Sequence, residues 1–180
     1  MFHVTERLLL RPAWPEDARD LFGGIADKRI VRNLAKAPWP YSFKDARDFV
    51  MRAQDPRYPV FLITMPGAQG SRVVGCIGIG ASETADVELG YWIAQPFWGR
   101  GFASEAARGV LEVARLLGHE QMEAGHFTDN PASGRVLRKL GFRPTGRIEP
   151  RHSRGRGEMA PCALYRLDLG EGARAPLQAA

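Results

Sequence analysis

The sequence predicts an α/β (α+β) fold: a mixed, mostly antiparallel twisted sheet of about six to seven strands flanked by about four helices. Three observations predict it. The β-rich runs "VFLITM", "RVVGCIGIG" and "VELGYWIA" follow one another with short turn-like segments between them, as antiparallel hairpins do. A glycine turn then opens the longest striped segment, where Ala103, Ala106, Ala107, Val110, Leu111, Ala114 and Leu117 recur at helical spacing. After it, strand-like "QMEAGHF", helix-like "NPASGRVLRKLGF" and two more strands restore the alternation.

Taken in order, "RLLLRP" reads as a first strand stopped by Pro12. "PEDARDLFGGI" reads as a helix opened by Pro15, acidic in its first turn and running down at Gly23 and Gly24. "DKRIVRNLAKAPWPY" mixes a short helical piece with a proline-rich loop. Ser42, with Asp45 three residues on, caps a second helix over "FKDARDFVMRAQ". The three-strand meander follows, with "PGAQG" as its first turn. In "NPASGRVLRKLGF", Asn130 is the expected N-cap, Pro131 lies in the first turn and Gly141 is the left-handed stop, with Phe142 folding back on Leu137. "FRPTGRIEP" and "PCALYRLDL" form a closing hairpin around an arginine-rich loop.

The chain has 180 residues, 44% apolar and 25% charged, which suits one domain with a substantial core. That domain is expected over residues 1–169, with 170–180 as a frayed tail. The opening residues turn charged at Glu6 and Arg7, unlike a signal peptide, and no run approaches the ~18 apolar residues of a membrane span. A cytoplasmic protein without membrane attachment is the expectation. Cys76 and Cys162 are too few and too far apart for a disulfide framework or metal knuckle, and no metal site is expected. Both read as small hydrophobes. The net charge of +5 rests mainly on arginine, densest at Arg143, Arg147, Arg151, Arg154 and Arg156. That stretch lacks the interleaved aromatics of a base-stacking surface. It reads either as solvated charge or as phosphate contacts on a ligand or partner.

The turn after "VELGYWIA" carries a more specific chemistry. Pro96 forbids further strand, and "WGRGFAS" leads into a helix N-terminus. Consecutive backbone N–H groups of a glycine turn, added to the unpaired N–H groups of a first helical turn, make an anion site suited to a pyrophosphate. Gly99 and Gly101 permit positive φ and close approach, and Arg100 can add charge at the rim. Neither the dinucleotide glycine fingerprint nor the P-loop spacing is present. By itself such a turn is also often no more than a turn.

Together, "TERLLLRP", "ELGYWIAQPFWGRGFASEA" and "NPASGRVLRKLGF" resemble the GNAT superfamily of N-acetyltransferases, in particular the branch that acetylates N-terminal amines of ribosomal proteins. The resemblance spans residues 5–168. It implies a GNAT fold splayed between the fourth and fifth strands, "VELGYWIA" and "QMEAGHF", with acetyl-CoA (coenzyme A) in the opening. The pantetheine arm would bond to strand backbone around Trp92, Ile93 and Ala94, and the pyrophosphate would sit on Trp98, Gly99, Arg100, Gly101, Phe102, Ala103 and Ser104. Trp98 stands where the wider family has Gln or Arg; a cradle built from main-chain N–H groups tolerates that change.

For acyl transfer to an amine, a proton must leave the amine, the oxyanion needs donors and the thiolate needs a proton. The resemblance gives Glu88 as base, direct or through water, with a structural strand carboxylate as the alternative. Backbone N–H groups near Ile93 or Ala94 would stabilise the oxyanion. Ser133 would be the donor toward sulfur and Asn130 would orient the pantetheine, although both also have helix-start explanations. Many relatives carry a tyrosine acid four residues before the helix-ending Gly-Phe, where this chain has Leu137. Tyr91, Tyr165, His119, His126 and His152 remain as outside candidates. Trp39 and Tyr41 are read as acceptor-pocket rim or as anchors of their loop. The acceptor is an amine, on a small molecule or a protein N-terminus, with ribosome association possible and the chain monomeric or homodimeric. Two rival readings are a non-catalytic acyl-CoA-binding sensor and a ribosome- or RNA-binding protein using the 143–156 arginines.

Overall fold

The computed structural model describes residues 1–67 and 70–170. Its strands are β1 (His3–Val4), β2 (Leu9–Arg11), β3 (Val60–Met65), β4 (Arg72–Ala81), β5 (Val87–Ile93), β6 (Gln121–Phe127), β7 (Arg143–Ser153) and β8 (Glu158–Asp168). The helices are α1 (Ala18–Ile25), α2 (Lys28–Val31), α3 (Phe43–Val50), α4 (Phe102–Leu116) and α5 (Pro131–Lys139). Among the described residues the strands form one eight-stranded sheet in the order β1-β2-β3-β4-β5-β6-β8-β7. Every neighbouring pair is antiparallel except β5 and β6, which are parallel.

Helices cover both faces of the sheet. A Cβ on Gly24 of α1 would lie 3.4 Å from the Trp92 ring, and the Tyr91 hydroxyl reaches Ser133 of α5. Successive strand residues point to opposite faces, so α1 covers the Trp92 face and α5 the Tyr91 face. The core runs along both layers, from Leu8, Leu10 and Leu21 to Val110, Met122 and Leu137, all essentially without solvent contact.

The sequence-derived elements hold, with four differences. β1 is an extra two-residue edge strand, too short to carry a periodic signal. The start of the first helix, Pro15–Asp17, is a 3₁₀ turn, so α1 proper begins at Ala18; its end at Ile25 agrees with the sequence, with Gly24 against the Trp92 ring. α3 stops at Val50, short of Gln54. The arginine-rich segment is mostly strand, with residues 154–157 alone as its turn. The expected tail lies, from residue 171 on, outside the described residues.

The local signals at two helix ends appear as read. Ser42 and Asp45 form a reciprocal capping box on α3. At the end of α5, Phe142 N–H bonds the Leu137 carbonyl at 3.1 Å and Gly141 N–H bonds that of Arg138 at 3.1 Å, with Gly141 at φ +88°.

Candidate active site

The site starts from a failure of pairing. β5 and β6 are in register at Val87/Met122, Glu88/Glu123 and Leu89/Ala124 and then part, although β5 runs on to Ile93 and β6 to Phe127. Each strand keeps its other partner: β5 stays on β4 as far as Ile93, and β6 stays on β8 as far as Phe127. The result is a wedge between the two halves of the sheet, the splay expected between the fourth and fifth sequence-predicted strands.

Ladder phase determines which backbone groups face that wedge. Ala94 N–H donates to the Val74 carbonyl at 2.9 Å, making Val74/Ala94 a hydrogen-bonded antiparallel position. Such positions alternate, so Trp92 also bonds toward β4, while the N–H and C=O of Tyr91 and Ile93 point the other way, into the wedge. Of the two amides proposed from sequence for an oxyanion, Ala94 is therefore engaged with β4, and Ile93 is the one that faces the opening. The Ile93 carbonyl accepts the Trp98 indole N–H at 2.6 Å, which ties the following turn to the strand end.

In that turn Gly99 has φ +75° and Gly101 φ +79°, and Gly101 is the left-handed N-cap of α4. The first-turn N–H groups of this 15-residue helix have no carbonyl behind them and emerge at the end of the wedge. Phe102 is buried against Phe97, with ring centroids 6.3 Å apart, so its side chain is turned into the core and only its backbone could serve the expected cradle. Arg100 lies 5.7 Å from the Phe97 ring, at the rim. Ala103 and Ser104 occupy the first helical turn, Ser104 buried.

Two residues here escaped the sequence reading. Glu105, buried in the same turn, accepts from the Thr5 hydroxyl at 2.6 Å, the Arg7 backbone N–H at 2.7 Å and Arg7 Nε at 2.7 Å. Burial raises the Glu105 pKa, but the bonds from Thr5 and Arg7 outweigh it and hold the carboxyl below its usual range. Arg7 thereby rests 4.7 Å from the Phe102 ring, its Nη2 3.6 Å from where a Gly101 Cβ would stand. It brings a cation to the glycine turn from nearly 100 residues away in sequence, a contact that local motif reading does not show.

The two candidate catalytic side chains lie on opposite faces of the opening. Glu88 shares the Trp92 and α1 face and is ion-paired through Oε1 to Arg151 of β7. Its side chain remains 31% exposed. Its cross-strand neighbour Glu123 accepts from Ser82 and Thr84 hydroxyls. On the other face, Ser133 in the first turn of α5 lies 2.7 Å, Oγ to hydroxyl, from Tyr91. Asn130 holds the N-cap position of α5, yet its side chain makes no capping bond. The capping explanation for that side chain is thereby removed.

The remaining candidates separate cleanly. Tyr41 is 8% exposed and belongs to the core, not the rim, with burial pushing its hydroxyl up to about 12. Trp39 is 38% exposed in its loop. Cys76 is buried, and desolvation pushes its thiol up to about 12, which agrees with an inert small hydrophobe. His126 packs under α5 and its Nδ1 lies 2.9 Å from the Phe127 carbonyl. Of the basic stretch, Arg154 N–H bonds the Ala35 carbonyl, and Arg156 bonds the Arg32 carbonyl and Asp129. These two fasten the closing hairpin to the α2 region. A surface depression of about 320 Å³ around Arg57, Tyr58, Asp86 and His119 shares no residue with the wedge.

A splayed parallel pair that ends on a glycine turn and a helix N-terminus is the architecture of an acetyltransferase. The chain belongs to the GNAT acetyltransferase family, whose domain model matches residues 7–143. It is 30% identical over 150 residues to the uncharacterized N-acetyltransferase YoaA of Bacillus subtilis, covering 79% of this chain and 82% of that one. Its fold matches a GNAT-family acetyltransferase from Bacillus anthracis at TM-score 0.80 and 23% identity, covering 94% and 99% of the two chains. It also matches RimL, a ribosomal alpha-N-protein acetyltransferase solved with coenzyme A, at TM-score 0.74 and 20% identity, covering 93% and 98%.

Proposed function

We propose that the protein transfers an acetyl group from acetyl-CoA to a primary amine by direct attack within a ternary complex. The observation that carries this reading is the wedge, where the backbone of Tyr91 and the Ile93 N–H, facing away from β4, lead to the Gly99–Gly101 turn and the start of α4. The amide-bearing pantetheine arm would add to the free β5 edge as an extended segment adds to a sheet. Its pyrophosphate would meet the first-turn N–H groups of α4, with Arg7 and Arg100 as flanking cations.

A thioester is already activated, so the chain's residues have only to manage protons and charge. The amine would approach from the Glu88 face. Arg151 holds one carboxylate oxygen, Oε1, which leaves Oε2 to accept the amine proton directly or through water. The Ile93 N–H would receive the oxyanion, and Ser133 would donate toward sulfur from the opposite face. Asn130, uncommitted to capping, would orient the arm.

The acceptor class is a protein N-terminus or a small-molecule amine. The reading is tested by thiol release from acetyl-CoA across a panel of amines, including short peptides with free N-termini, for wild type, Glu88→Gln and Ser133→Ala. Turnover on one amine class, reduced in both variants while acetyl-CoA still binds, supports it. Binding without turnover on any amine would favour a non-catalytic acyl-CoA sensor.

A further inference from the structure

The Tyr91 side chain, so far only an outside candidate for the acid, makes a specific contact that points to another role. It lies on the β5 face opposite Glu88, at the point where β6 has already turned away, and its side chain crosses to α5. There its hydroxyl sits 2.7 Å from Ser133 Oγ and 3.4 Å from the Ser133 carbonyl oxygen. Resting on the acetyl-transfer reading above, we propose that Tyr91 is a positioning residue that aims the Ser133 hydroxyl proton at the departing sulfur.

The direction of the short bond follows from acidity. Geometry alone admits either hydroxyl as donor. A phenol is a stronger donor and weaker acceptor than an aliphatic alcohol, so we take Tyr91 as donor and Ser133 Oγ as acceptor at 2.7 Å, a much shorter contact than the 3.4 Å to the Ser133 carbonyl. Burial pushes the Tyr91 hydroxyl up to about 12, with Ser133 pulling the other way, so Tyr91 stays protonated across the neutral range and remains a donor. With one Ser133 lone pair occupied by Tyr91, the Ser133 O–H is left to point away from the phenol, free in the acetyl-transfer reading to meet the sulfur. Leu137, one turn along the same helix, is fully buried and offers no donor in its place.

In the reaction, the neutral amine's lone pair forms the N–C bond and the C–S bond breaks with its electrons on sulfur. The Ser133 O–H hydrogen-bonds that sulfur as charge develops. The amine proton leaves through Glu88 to water, and sulfur takes its final proton from water. Neither hydroxyl ionises. Tyr91 touches no reacting atom in this scheme and acts only through Ser133.

A double-mutant cycle in kcat separates this role from a structural one. Tyr91→Phe keeps the ring and removes the hydroxyl, and is expected to lower kcat roughly 10-fold, less than the roughly 100-fold or more of losing a group that itself transfers a proton, because Tyr91 acts only by orienting Ser133. KM for the amine and Kd for acetyl-CoA should stay within about twofold, because both are set by groups the phenol does not touch. In a Ser133→Ala background the same substitution should change kcat by less than about twofold, since residues that act as a unit are not additive. A folding defect would instead carry into both backgrounds equally. An equal loss in both backgrounds, or an active wild type whose kcat Tyr91→Phe leaves unmoved, overturns the Tyr91 role alone. A wild type that binds acetyl-CoA but turns over no amine overturns the acetyl-transfer reading and this role with it.

Discussion

Arg151, on the closing hairpin, forms an ion pair with Glu88 on β5, joining the last two-stranded unit of the sheet to the strand that borders the wedge. The two side chains are 33% and 31% exposed, so the pair is neither buried nor freely solvated. It holds the candidate base in one orientation at the face from which an amine would arrive.

Removing either member should therefore damage chemistry more than cofactor binding. Glu88→Gln is expected to lower kcat roughly 100-fold, within the range for loss of a general base. Arg151→Gln leaves the carboxylate in place but unaimed, and a loss of about 5- to 10-fold is expected from the poorer orientation. Steady-state kinetics with calorimetric acetyl-CoA binding checks both. A Kd change larger than the kcat change would place Glu88 in the cofactor site instead.

The glycine turn makes a different demand. Gly101 sits at φ +79° with no neighbour nearer than Arg7 Nη2 at 3.6 Å, so Gly101→Ala meets backbone strain and little steric clash. That strain is about 1–2 kcal/mol for a side chain held left-handed. The turn can relieve it by leaving the conformation that gathers the N–H groups. Acetyl-CoA affinity should fall by about 10-fold, equivalent to 1.4 kcal/mol. Gly99→Ala, at φ +75° in open space, should behave alike. Unchanged affinity in both would show that the phosphates bind elsewhere.

Glu105 gives a pH signature distinct from catalysis. Its folded pKa lies below the usual carboxyl value, so its contribution to stability is complete above the unfolded pKa of about 4.5 and disappears as pH falls through the folded value. Glu105→Gln should cost about 2 kcal/mol at pH 7, the scale of losing hydrogen bonds to a charged group. The gap in thermal midpoint between wild type and variant, about 5 °C at neutral pH for a chain of this size, should narrow as pH falls below about 4.5 and close once it has passed the lowered folded value. A gap that stays constant with pH would remove Thr5 and Arg7 as its cause.

Much of this arrangement was legible in local signals. The Ser42 capping box, the Gly141 stop, the positive-φ glycines at 99 and 101 and the order of the meander are all properties of a few adjacent residues. What sequence could not supply is the set of contacts made across the chain. Arg7 with Glu105, Arg151 with Glu88 and Tyr91 with Ser133 join residues 98, 63 and 42 positions apart. No periodicity brings such residues together. The arginines of residues 143–156 show the same gap from the other side. As a string they resemble an anion-binding patch, whereas Arg151, Arg154 and Arg156 meet a carboxylate or backbone carbonyls within the fold.

That docking yields a final test at a residue far from the wedge. A Cβ on Gly155, at the hairpin tip, would fall 2.4 Å from the Val31 carbonyl oxygen and 2.7 Å from its carbon, both backbone atoms of α2 that no side-chain rotation can clear. Around it Ser153 Oγ donates to the Leu34 carbonyl at 2.8 Å and Arg156 Nε to the Arg32 carbonyl at 2.7 Å. Gly155→Ala must therefore lift the tip and weaken these bonds together, a cost of about 1–3 kcal/mol for forcing atoms into a filled space. Arg151 sits two residues before Ser153 on the same strand, so the shift also loosens its hold on Glu88. Lower thermal stability is expected, together with a kcat decrease resembling that of Arg151→Gln and with acetyl-CoA affinity unchanged. If Gly155→Ala lowers kcat further when placed in an Arg151→Gln background, the hairpin reaches the site by a route other than the Arg151–Glu88 pair.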